Sequence, residues 1–110
     1  MTLNEYQALA ARTINPELDP ADIEDHALHG MVGEVGELHS LYQKVYQGHV
    51  LDVIHSAKEL GDLMWFIAEY STAMGWNLDD IAKMNIDKLK KRYPAGFNEE
   101  QSKHRAKGDI

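Results

Sequence analysis

Cysteine is absent from this chain of 110 residues. That excludes disulfides and thiolate metal sites, and it predicts a reducing, cytoplasmic setting. Long apolar runs are missing too: the strongest, LMWFIA at 63–68, is far short of the roughly 20 residues that span a bilayer. The opening MTLNEYQALAART carries no basic-then-apolar signal pattern, so no membrane or secretory role is expected. There is also no basic excess. Eleven Lys and Arg face eighteen Asp and Glu, a net charge of −7, the wrong sign for a protein that must displace counterions from a nucleic-acid polymer. Prolines number only three, and all of them punctuate.

Between the prolines the chain reads as helix. A short first helix is expected over 2–13, stopping before NPELDP. A long second one runs over 21–47, with Asp22, Glu24 and Asp25 at the positive end of its dipole and Gly48 ending it. A third covers 51–74 and stops at Gly75. Asn77 caps a fourth, which ends at Tyr93-Pro94. The tail AGFNEEQSKHRAKGDI is expected to be irregular, with one short turn of helix. No segment alternates with period two. The expected fold is therefore all-α, one domain over 1–110, an antiparallel bundle of four main helices completed by dimerisation.

Two stretches stand out. GEVGEL (33–38) places Glu34 and Glu37 three apart, and KELGDLMWF (58–66) repeats the device with Glu59 and Asp62. Residues three apart on a helix differ by only about 60° and share a face. On the second helix Leu28, Met31, Val35, Leu38, Tyr42 and Val45 form the apolar stripe. Glu34 falls at its edge near Leu41, with Glu37 beside it. The third helix is apolar nearly all round, with Phe66 projecting between Glu59 and Asp62. All four acids are thus expected to face protein. Unpaired sheltered carboxylates repel one another or take up protons, and a divalent cation is the simplest remedy. An all-oxygen set favours Mg²⁺, with Mn²⁺ as a substitute. On the fourth helix, Leu78, Ile81 and Leu89 mark an inward face containing Asn85, with Arg92 close to the same line and Lys88 at its border. A buried amide and two cations on one face suit an oligophosphate.

These residues, in this order, resemble the all-α nucleoside triphosphate pyrophosphohydrolases of the MazG-like superfamily, which includes dimeric dUTPases and dCTP pyrophosphatases. The likeness runs from LNEYQ to about Arg105 and takes in GEVGEL, GHVLD, KELGDLMWF, NIDKLKKRYPAGF and the trailing Ser102 and Arg105. Val50 stands where the family pattern has proline. The resemblance implies that Glu34, Glu37, Glu59 and Asp62 bind Mg²⁺, and that Asn85, Lys88 and Arg92 contact substrate phosphates, joined by Lys44. It implies water attack at the α-phosphorus of a (deoxy)nucleoside triphosphate, giving the monophosphate and pyrophosphate, with Glu34 or Glu37 as the catalytic carboxylate. It also implies a homodimer or a dimer of dimers.

Base recognition leaves weaker marks. Trp65, Phe66, Tyr70 and Trp76 read mainly as core, with one free to stack on a base. His26, His29 and His49 offer polar contacts, and Tyr6 and Gln7 are placed to close the site. Two other classes compete. A carboxylate-bridged di-iron or di-manganese bundle needs Glu-x-x-His from two helices, and the nearest match here is Asp52-x-x-His55. A non-catalytic helical dimerisation module would leave the acids as ordinary surface.

Overall fold

The computed structural model describes residues 1–110 and is wholly helical. Its elements are α1 (Leu3–Ala11), α2 (Pro20–Val45), α3 (Val53–Ala73), α4 (Leu78–Arg92) and α5 (Glu99–Lys103). Each start is fixed locally. Thr2, Asp19, Asp52, Asn77 and Asn98 each accept a hydrogen bond from the backbone N–H three residues on, satisfying a donor that the helix leaves free. Pro20 opens α2 without losing a bond. Gly48 (φ 92°) and Gly75 (φ 74°) end α2 and α3 in left-handed turns, where His49 N–H bonds to the Lys44 carbonyl and Trp76 N–H to that of Ser71. The tail supplies the short α5. None of the helices is long and apolar enough to cross a membrane.

The frame is the pairing of α2 with α3, with α1 lying on α3 and α4 on α1. Close approach of α2 and α3 depends on Gly30. A Cβ there would sit 2.1–2.5 Å from three atoms of the Phe66 ring, so the ring lies directly on the α2 backbone. Phe66 in turn meets Trp65 edge-on at 5.1 Å and His26 at 5.7 Å. Gln7 ties α1 to the α3–α4 turn. Its Nε2 donates to Thr72 Oγ1 (3.1 Å) and the Trp76 carbonyl (2.9 Å), and its Oε1 accepts from Leu78 N–H (2.8 Å). The expectation that Gln7 closes the site is corrected: both ends of its amide are committed to holding helices together.

Little is buried. Only seven residues are shielded from solvent, and the apolar core reduces to Ala10, Ala27, Ala68 and Leu78. The radius of gyration is 17.3 Å, against about 13 Å for a compact chain of this size. The α2 face that meets α3 is rotated about one position from the expected stripe: Ala27, Met31 and Leu38 turn inward, while Leu28, Val35, Tyr42 and Val45 stay exposed. On α3, Leu60, Met64 and Ile67 are likewise uncovered.

Candidate active site

The α2–α3 seam carries the acids. The rotation that exposes Val35 puts Glu34 on the inner face of α2, opposite Glu59 and Asp62 of α3. Carboxylate oxygens of these three lie within 4.8 Å of one another. Glu34 and Glu59 are half-buried and Asp62 is exposed at the mouth. Glu37 is exposed one turn further along α2. It stays outside the trio, yet its charge reaches Glu34. Sequence reasoning placed all four acids against protein, but the seam shelters two.

The trio is short of positive charge. A hydrogen bond with Glu59, followed by burial and the charges of Glu59, Asp62 and Glu37, pushes the Glu34 carboxyl from near 4.5 up to about 7. Glu59 moves the other way, held down first by that hydrogen bond and then by His55. The shared hydrogen bond thus drives the two carboxyls apart, Glu34 upward and Glu59 downward. Glu34 Oε2 is buried and has no hydrogen-bond partner. A buried oxygen without a partner, beside two further carboxylates, makes an all-oxygen donor set that fits a hard divalent ion.

Two neighbours complete the seam. His55 Nε2 lies 2.8 Å from Glu59 Oε1 and steers that carboxylate. The clue in the sequence was the four-residue spacing on one helix. Tyr6 of α1 stands near Asp62. Burial, and then the Asp62 charge, raises its hydroxyl above the usual range.

Further along the seam, Glu69 is 1% exposed and its Oε1 lies 2.7 Å from His26 Nδ1. These two residues are 43 positions apart, and no local pattern announces the contact. His29 sits only by Asp25 at 3.5 Å on the surface, and His49 is exposed beyond the end of α2.

The residues expected to contact phosphates are placed differently from the acids. Asn85, Lys88 and Lys44 are exposed. Asn85 was expected to be a buried amide. It is open because α4 rests on α1, and a nine-residue helix of about 14 Å cannot cover fifteen residues of about 22 Å. Arg92 is held in a two-pronged ion pair with Asp109 of the tail.

Comparison with known proteins agrees with the geometry. Residues 24–97 match the MazG nucleotide pyrophosphohydrolase domain, a span holding all four acids together with Asn85, Lys88 and Arg92. The chain is also similar to the Gene 37 protein of Mycobacterium phage L5, 27% identical over 105 residues, covering 87% of this chain and 92% of that protein. No solved structure matches the chain. With two-thirds of its length matched and the acid pairs on facing helices inside that span, the chain belongs to the MazG nucleotide pyrophosphohydrolase family.

Proposed function

We propose that the protein hydrolyses a (deoxy)nucleoside triphosphate to the monophosphate and pyrophosphate, with water attacking the α-phosphorus in a Mg²⁺-dependent reaction. The observation that carries this is the buried, partnerless Glu34 Oε2 among three converging carboxylates. Glu34, Glu59 and Asp62 would hold the metal, with Glu37 joining by a change of side-chain rotamer. Mg²⁺, or Mn²⁺ in its place, supplies the positive charge that offsets the phosphate oxygens and acidifies water.

The chain's own groups do the rest. Glu34, on the inner face of α2 among the converging carboxylates, would accept the proton of the attacking water. His55 fixes the orientation of Glu59. Asn85, Lys88, Arg92 and Lys44 would contact the phosphates, with Lys88 and Arg92 stabilising charge on the departing pyrophosphate. The uncovered faces of α2 and α3 favour a homodimer or a dimer of dimers, because so much exposed apolar surface is unusual for a chain that stays alone. A panel of ribo- and deoxynucleoside triphosphates with Mg²⁺, scored for pyrophosphate against orthophosphate, tests the reaction. Pyrophosphate with the monophosphate is expected; orthophosphate alone would overturn the assignment.

A further inference from the structure

Beyond α5 the chain returns to the end of α4 and forms one wall of an open cleft of about 720 Å³. Lys88, Lys91 and Arg92 line it from the helix, and Arg105 and Lys107 from the returning segment. In a chain of net charge −7 this is a local reversal of sign. Of its two acids, Asp87 is paired outward with Lys83 at 2.6 Å. Asp109 points in. Its two oxygens accept from Arg92 Nε and Nη2, both at 2.8 Å, and the two side chains are only 10% and 13% exposed. Lys88 and Arg105 also act on this carboxylate. Neither they nor Lys91 and Lys107 form an ion pair of their own.

Two oxygens set squarely on a guanidinium fork are what a phosphate group also presents. We propose that Asp109 is an internal stand-in for a phosphate-class anion: its carboxylate latches Arg92 in this cleft, and a di- or triphosphate must displace it to bind. The inference rests on the reading of Lys88 and Arg92 as phosphate contacts and adds regulation to that site. The latch is built to open. It sits outside any helix, beside Gly108 (φ 87°), and a single backbone bond from Asp109 N–H to the Ala106 carbonyl (3.0 Å) closes its turn. A carboxylate brings one negative charge to a cleft with five cations, whereas pyrophosphate brings more. If the latch is shut nine-tenths of the time, apparent affinity for the anion falls about tenfold.

The test uses the full chain without metal and inorganic pyrophosphate as the probe, followed by calorimetry. Asp109→Asn is expected to bind pyrophosphate about tenfold more tightly than the native chain, and Arg92→Ala to lose binding. In turnover with Mg²⁺ and a nucleoside triphosphate, Asp109→Asn should lower KM by a similar factor and leave kcat unchanged. Pyrophosphate binding to Asp109→Asn that is no tighter than to the native chain would overturn the latch. If no nucleotide is hydrolysed by either chain, the reaction assigned above fails, while tightened pyrophosphate binding still upholds the latch. Should Asp109→Asn fold poorly, amide exchange in the native chain decides. Pyrophosphate is expected to speed exchange at the Asp109 N–H, and unchanged protection refutes displacement.

Discussion

Replacing Gly30 with alanine sets two effects of opposite sign against each other. Inside a helix, alanine is better than glycine by about 1 kcal/mol, so at an open site the change stabilises. At Gly30 the added Cβ would stand 2.1 Å from a Phe66 ring carbon, well inside the ~3.5 Å at which two carbons touch. The ring cannot simply swing aside, because Trp65 and His26 flank it at 5.1 and 5.7 Å. Either Phe66 leaves its rotamer or α2 and α3 separate, and overpacking of this kind costs about 1–3 kcal/mol or more. With an overlap this deep the upper end of that range applies, and about 3 kcal/mol of clash against about 1 of helix gain leaves a net loss of about 2 kcal/mol, or roughly a 10 °C fall in melting temperature. Thermal melts followed by circular dichroism read it directly. Gly33, with nothing within 4 Å of the corresponding position, is the control: Gly33→Ala is expected to hold or raise the melting temperature. Phe66→Leu introduced with Gly30→Ala should recover part of the loss. A Gly30→Ala protein as stable as the native chain would refute the reasoning that this glycine sets the spacing of the acid seam.

Other outcomes follow from the same seam. With the Glu34 carboxyl near 7 in the metal-free chain, the fraction ready to take a cation rises about tenfold between pH 6 and 8, so apparent Mg²⁺ affinity should rise by about that factor with proton release on binding; calorimetry in buffers of different ionisation enthalpy measures both, and a flat profile contradicts it. The sign for folding is the reverse. A carboxyl held above its unfolded value near 4.5 contributes stability fully below that pH, and the contribution is lost as pH rises through 7, so Mg²⁺ should stabilise most in the alkaline range. Glu59→Gln is expected to cut Mg²⁺-dependent pyrophosphate release by at least about a hundredfold with the helical spectrum intact; turnover near the native rate would remove Glu59 from the site. His26→Ala strips the buried Glu69 carboxylate of its one partner and should cost about 1–3 kcal/mol in urea melts, whereas the joint replacement His26→Phe with Glu69→Leu should recover much of it.

What could be read from the sequence and what could not divide along chain separation. The caps Asp19, Asp52 and Asn77 and the stops Gly48 and Gly75 act on their own helix ends, so the helices were legible within about two residues. Glu34, Glu59 and Asp62 were legible because three-residue spacing fixes a face and two such faces meet in a hairpin of long helices. Asn85 was misread because its burial depends on what α4 packs against and on how short α1 is, which no periodicity encodes. The Glu69–His26 contact and the return of Asp109 to Arg92 join residues 43 and 17 positions apart. Each depends on the tertiary path of a loop or tail. The part Gly30 plays in the close approach of α2 and α3 appears only once the Phe66 ring lies on it.

Seven sheltered residues in 110 make a small interior for a chain of this length. On the proposed pairing, folding and association become one equilibrium, so the thermodynamic quantity that matters is a dissociation constant rather than a unimolecular free energy. Dilution then acts like a denaturant, and the melting temperature should climb with protein concentration. A substitution on the open faces of α2 or α3 would accordingly reduce the amount of folded protein before it touched any chemistry at the acids.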